Sequence, residues 1–306
     1  MGLVAKLRMR APLHIGSSTL GEENTHDYVP SDTLFSALCH AYLELYGREA
    51  LEALLDRFDE EPPFLISSAF PFFEDTLFLP FPRIAPVSHF EGKERGVKKR
   101  LKEVPWLSLE DLSRVMRGEG PYAVEKADKL PRKELLPRVA LDRESSGSSL
   151  YYARRTVFPE EGGLWVLLDA RDRALESDLA GALRLLGDMG LGGERSVGCG
   201  RFQPDFEDPP EALSRHLGGK APYVTLSRVC PEPGTSGEVD RYALVESKGW
   251  MLSPTGAQLK RKSVWFLVEG SSFREPIRGR LVDVTPDYDP GHRVYRYGCG
   301  VYLGAA

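Results

Sequence analysis

The residues best suited to chemistry run Met189-Gly190-Leu191-Gly192-Gly193-Glu194-Arg195-Ser196-Val197-Gly198-Cys199-Gly200-Arg201-Phe202, a stretch with five glycines and two arginines. Glycine lets successive backbone N–H groups converge on an anion, and arginine adds a bidentate contact to phosphate. A polyanion is therefore the expected guest. Gly190, Gly192, Gly193, Gly198 and Gly200 would admit its backbone, with Arg195, Ser196 and Arg201 donating to it. The competing reading makes Gly190 a helix C-cap and the remainder a tight hairpin-like turn.

The elements on either side narrow the guest. Leu175, Leu179, Ala182, Leu183, Leu186 and Met189 recur at helical spacing, so the loop leaves a helix C-terminus, whose dipole repels anions. Dinucleotide folds and P-loops run strand, glycine loop, helix, and place phosphate on the helix N-terminus. The P-loop lysine is also absent, since Cys199, Gly200 and Arg201 follow Gly198. A mononucleotide pocket is excluded on both counts.

The chain has 306 residues, 42% hydrophobic and 28% charged, which predicts two globular domains with proper cores. A net charge of −5 argues against a protein that coats nucleic acid, but leaves room for a local basic groove. Basic clusters fall at 93–102, Arg154-Arg155, Lys260-Arg261-Lys262, 274–280 and 292–296. Cysteines 39, 199, 230 and 299 form no C-x-x-C pair, so no metal site or disulfide framework is signalled and a reducing cytoplasm is expected. No cofactor and no membrane span are expected.

Leu3 to Arg10 alternates as a half-buried strand, with Lys6, Arg8 and Arg10 on its exposed face. A helix capped by Ser31 or Asp32 follows, its stripe formed by Leu34, Ala37, Leu38, Ala41, Tyr42 and Leu45 and closed by Gly47. An aromatic hairpin spans 64–82. The pattern then dissolves over about 83–156, which reads as an insertion. A strand at 164–169, the leucine-rich helix, the glycine loop and a strand at 201–206 complete a β-α-β-β-β-α-β order close to the split βαβ unit. Asp208-Pro209-Pro210 marks a boundary, giving domains 1–208 and 209–306. The second is β-rich, with strand-like stretches at 222–229, 241–247, 263–269, 279–285 and 293–303.

Several strings in this order resemble one family: Leu13-His14-Ile15-Gly16, Pro30 to Ala41, Leu150-Tyr151-Tyr152-Ala153, the glycine loop, Lys262 to Trp265 and Val294 to Gly298. It is the RAMP superfamily of CRISPR-associated proteins, and within it the subunits that cap the 5′ end of crRNA in type III-A effectors. The resemblance implies an α+β chain of two ferredoxin-like, RRM-like domains, the second degenerate, with the insertion as a thumb. It implies a non-catalytic subunit that binds the crRNA 5′ handle. It also implies partners: the large polymerase/cyclase signature subunit and the repeated backbone RAMP subunit.

Beyond the loop, the expected RNA contacts are His14 and Gly16 where the first strand ends, Arg154 and Arg155 behind Tyr151 and Tyr152, and Lys260 with Arg261. Each has a plain structural alternative, as a satisfied histidine or a solvated face. Lys93 to Lys102 is as readily a solvated loop. Relatives that process crRNA use a histidine or tyrosine base without metal, so His14, His26 and His40 are the alternative enzyme's candidates. The aspartates are Asp32, for which N-capping is the simpler role, and Asp27. No paired acid and base follows from spacing, and no catalytic residue is assigned. A purely structural subunit is the third alternative.

Overall fold

The fold is given by a computed structural model and is described for residues 2–16, 25–84, 106–119, 129–141, 147–235, 238–251, 259–288 and 290–306. The basic run at 93–102 lies outside these residues.

The N-terminal part is built on an antiparallel sheet. Its strands are β1 (Leu3–Met9), β2 (Phe64–Ile66), β3 (Phe70–Phe73), β4 (Thr76–Pro80), β5 (Trp106–Ser108), β8 (Gly162–Ala170) and β9 (Phe202–Glu207). They lie in the order β5-β4-β3-β8-β1-β9, with β2 beside β3 on the same edge of β8. Taking β2 and β3 as one broken strand, the order β9-β1-β8-β2/β3 is that of a split βαβ sheet, as the element order predicts. Helices α1 (Ser31–Asp56) and α3 (Arg173–Met189) pack together over one face, closing a core that includes Ala5, Leu7, Leu34, Phe35, Leu38, Leu164, Val166, Leu179, Leu183 and Leu186. Gly47 has φ +84 and breaks α1 after Tyr46, so the expected stop is a kink followed by a second helical stretch.

The other face of the sheet is covered over its middle, so the exposed face expected on β1 fails at Lys6 and holds at Arg8 and Arg10, which are exposed. Val4, Phe70, Phe72, Trp165 and Leu167 pack against Val224, Leu226, Val301 and Leu303 of the C-terminal part. Lys6 is accordingly buried, paired with Glu207 at 3.1 Å. A strand covered on both sides loses clean alternation.

Within 83–156, β5 and α2 (Leu109–Met116) belong to the main fold: Trp106, Leu112 and Met116 enter the second core. Ser108 caps α2, accepting from the Asp111 N–H. Strands β6 (Arg132–Leu141) and β7 (Ser148–Val157) form a separate two-stranded hairpin, registered from Arg132 opposite Val157 to Leu141 opposite Ser148. Val139 faces Leu150, and Pro137 faces Tyr152, on a side where Leu135, Val139, Leu141 and Leu150 are exposed.

The C-terminal part begins with α4 (Glu211–Leu217), a helix the sequence pattern did not indicate, and β10 (Lys220–Thr225). Strands β11 (Val239–Arg241), β14 (Ser272–Phe273), β10 and β17 (Tyr302–Ala305) form one sheet in the order β11-β14-β10-β17. Two-stranded pairs add β12 (Leu244–Ser247) with β13 (Val264–Leu267), and β15 (Val282–Asp283) with β16 (Tyr295–Arg296). Tyr297, fully buried, stacks on Phe35, and its hydroxyl oxygen accepts from the Ile66 N–H in the first core at 2.9 Å. No helix among the described residues is long and apolar enough to cross a membrane.

Candidate nucleic-acid interface

The glycine loop is closed by its own backbone. Asp172 caps the start of α3 by accepting from the Leu175 N–H at 2.8 Å, and Gly190 ends it with φ +84, donating to the Leu186 carbonyl at 2.8 Å. Leu191 is fully buried and donates to the Gly200 carbonyl at 2.9 Å. The loop then joins the segment after β1: Gly193 donates to the His14 carbonyl at 2.8 Å and Gly200 to the Pro12 carbonyl at 2.8 Å. Arg195–Val197 form a single 3₁₀ turn between Glu194 at φ +57 and Gly198 at φ +89.

This closure changes what the glycines do. A Cβ on Gly200 would collide with the Leu191 carbonyl, and one on Gly192 with the His14 carbonyl. One on Gly190 would lie 2.8 Å from the Cys199 carbonyl oxygen, and one on Gly193 2.8 Å from the His14 ring. Only Gly198, with nothing within 4 Å of that position, faces open space. The N–H groups of Gly190, Leu191, Gly193, Val197, Gly198, Cys199 and Gly200 all donate within the protein. The expected open backbone cradle is thus largely spent on folding the loop. What the loop presents outward is side chains: Ser196 and Arg201 are exposed and Arg195 is half-buried.

Of the other expected residues, His14 meets this loop directly. His14 lies over Gly193, and its Nδ1 donates to the Arg154 carbonyl of β7 at 2.7 Å, so in the neutral ring Nε2 is the acceptor. Gly16 sits one bridge away, opposite Thr25, with open space at its Cβ position. Arg154 is half-buried beside Arg155, which pairs with Glu134 at 3.1 Å. The hairpin is fastened to the loop by an ion pair that sequence reading missed, Arg138 to Glu194 at 2.8 Å. Pro137 hides β6 as a strand, because proline is tolerated only where no ladder bond is needed, as on this isolated hairpin.

Lys260 and Arg261 part company. Lys260 is exposed, bridged to Trp250, whereas Arg261 is 7% exposed and turned onto Ser247. Arg261 belongs to a charged cluster around Asp32. Asp32 does not cap α1: the helix follows Pro30 with no side-chain cap. Its carboxylate, 1% exposed, accepts from Arg228 at 3.1 Å and from Ser247 at 2.8 Å, with Arg296 at 3.7 Å. Burial would raise this carboxyl, but Arg228 and Arg296 outweigh it and hold Asp32 below the ordinary carboxylate range. Ser31 is likewise no cap; its hydroxyl accepts from the Arg228 N–H.

The histidines and aspartates of the enzyme alternative are placed as follows. Burial, then Arg228, pushes His26 down to about 4, so it is neutral at physiological pH. Asp27 accepts from the Trp106 indole at 2.9 Å. His40 is half-buried on the flank of α1, its pKa lowered by burial and then by Arg195 and His292.

The RAMP superfamily model matches residues 6–203, and the model of the CRISPR Csm4 C-terminal domain matches residues 219–305. The Csm4 protein of a CRISPR system in Thermococcus onnurineus is 30% identical over 91% of this chain and 92% of that protein. The Csm4 protein of Streptococcus thermophilus is 28% identical over 93% and 92%. A crystal structure of a Csm1-Csm4 cassette with cA4 aligns with TM-score 0.68 and 25% identity over 99% of this chain and 97% of that one. A Csm3-Csm4 subcomplex of the type III-A interference complex shares the fold, with TM-score 0.70 and 18% identity over 99% of both chains. The chain belongs to the RAMP superfamily and, within it, to the Csm4 family of CRISPR-associated proteins.

Proposed function

We propose that this chain is a non-catalytic subunit of a type III-A CRISPR effector that binds the 5′ handle of crRNA on the glycine loop. The observation that carries the reading is the junction itself: Arg195, Ser196 and Arg201 stand on a loop locked by hydrogen bonds to the His14 segment and by Arg138 to the hairpin. Rigid support keeps cationic and hydroxyl donors in place for a single strand, whose phosphates dominate affinity and whose unstacked bases are read by nearby side chains. His14, with Nε2 as acceptor, and the Tyr151-Tyr152-Arg154 run of β7 are suited to the second task. Lys260 would add an electrostatic contact.

Two units, 1–208 and 209–306, each of ferredoxin-like descent, are the domain reading we favour; the four-stranded β11-β14-β10-β17 sheet is the second unit's counterpart of the first sheet. As partners we infer the large signature subunit and the repeated backbone subunit, by analogy with the Csm1-Csm4 and Csm3-Csm4 structures, and with them a cytoplasmic setting. The non-catalytic reading is supported by Asp32 being enclosed by arginines, Asp27 engaged by Trp106 and His26 buried and, with a pKa of about 4, too weakly basic to serve as a general base.

The test is binding of labelled repeat-derived RNA across a salt series, with EDTA present. Arg195→Ala and Arg201→Ala are each expected to weaken binding about tenfold and to flatten the slope of log affinity against log salt by about 0.7, the value for one lost single-strand phosphate contact. Unchanged affinity in both variants overturns the loop assignment. A discrete RNA product that His14→Ala or His40→Ala abolishes would establish the ribonuclease instead.

A further inference from the structure

Among the described residues, the charges gathered at the N-terminus of α1 do not balance. Its carboxylates are Asp32 and Glu269; its guanidiniums are Arg228, Arg261 and Arg296. Arg228 is served by both acids, at 3.1 Å from Asp32 and 3.7 Å from Glu269. Arg261 and Arg296 are served poorly. Arg261 donates to the Ser247 carbonyl at 3.1 Å and the Ser247 hydroxyl at 3.2 Å. Arg296 donates to the Asp32 carbonyl at 3.0 Å and the Ser36 hydroxyl at 3.1 Å, and its nearest carboxylate oxygen is 3.7 Å away. The Nε of each is buried without a hydrogen-bond acceptor. Guanidinium groups held this way are costly unless an anion shares the pocket.

We propose that Arg261 and Arg296 form a second phosphate-binding position, taking a backbone phosphate of the same RNA that the glycine loop holds. The guanidinium fork matches phosphate geometry. Arg296 keeps 14% of its side-chain surface, so an anion reaches the pocket from its rim. The pocket and the loop are also linked electrostatically along α1. Ser36 lies one turn before His40 on α1, and His40 is within electrostatic reach of both Arg195 and His292. The flank of α1 thus leads from Arg195 in the N-terminal part to Arg296 in the C-terminal part. In agreement, burial and then Arg296 pull the Arg261 pKa down to about 10, the direction a bound anion would reverse. The proposal rests on the glycine-loop reading for the identity of the strand.

The test uses the full chain and two probes, inorganic phosphate and labelled repeat-derived RNA. Phosphate, substituted for chloride at constant ionic strength, is expected to raise the melting temperature of the wild type and not of Arg261→Gln. Glutamine keeps a donor for Ser247 while removing a charge the pocket disfavours, so the variant is expected to fold; its melting temperature without phosphate checks this. Arg261→Gln is expected to weaken RNA binding about tenfold and to flatten the salt slope by about 0.7. Phosphate stabilisation with unchanged RNA affinity would assign the pocket to free phosphate and overturn the proposal, as would the absence of both effects. If Arg195→Ala leaves RNA binding intact while Arg261→Gln impairs it, the loop reading fails and the pocket stands. The opposite pattern removes the pocket and leaves the loop.

Discussion

The glycine loop and strand β1 both carry arginines that sequence alone offers to a polyanion, yet the fold treats them differently. On β1, Arg8 meets Asp205 at 2.6 Å and Glu161 at 4.0 Å, Lys6 meets Glu207, and Arg10 donates to Gln203. Asp205 and Glu207 come from β9, which pairs with β1 so that Lys6 stands opposite Asp205 and Arg8 opposite Gln203, and Glu161 stands just before β8. On the loop, the one close acid is spoken for: Glu194 pairs with Arg138 of the hairpin rather than with Arg195 or Arg201. A cation is thus available to a ligand only where the neighbouring strand does not answer it.

The Asp32 pocket inverts the case, with acid outnumbered by base, and gives the largest expected effect. Asp32→Ala leaves Arg228, Arg261 and Arg296 with only Glu269, and breaking a buried pair in this way costs about 3–5 kcal/mol. Chemical denaturation is expected to show that loss; a change within error would mean the arginines relax to solvent. A smaller effect separates two glycines of the loop. Gly198→Ala carries only the cost of its φ of +89, about 1–2 kcal/mol, whereas Gly200→Ala adds overpacking against Leu191, about 1–3 kcal/mol more. Equal melting temperatures would contradict the self-closed loop. The smallest effects test the comparison directly. Arg8→Ala is expected to change stability by less than about 0.5 kcal/mol and to leave RNA affinity unchanged. Asp205→Ala, which frees Arg8 from its closer acid, is expected to strengthen the salt dependence of RNA binding by up to about 0.7 in slope. An RNA-binding defect in Arg8→Ala would erase the distinction between the two regions.

Much of the frame was legible. The leucine spacing of 175–189 describes α3, and Gly190 ends it as its C-cap reading has it. Leu34, Leu38, Ala41 and Tyr42 do form the buried stripe of α1. The hairpin β6-β7 was blurred by Pro137 and by a polar tract at 145–149, partly outside the described residues, because an isolated ribbon needs no clean alternation. Helix α4 was missed because seven residues after a Pro-Pro pair carry too few turns to show a period. The glycines were noticed for a good reason and given the wrong first duty: three of the five are required by backbone packed against them, and Gly193 by the His14 ring.

The amino-acid sequence by itself determined the two long helices, the order of elements along the first part of the chain and the position of the loop at a helix C-terminus. Those features depend on neighbours within a turn or two, where propensity, caps and periodicity act. Tertiary structure alone decided which charged groups remain available. Arg8 is answered by Asp205, 197 residues away, and Asp32 by Arg228, 196 residues away. The pairing of groups so distant in the chain is set by sheet register and by packing of the two halves, and both arise only when the cores close.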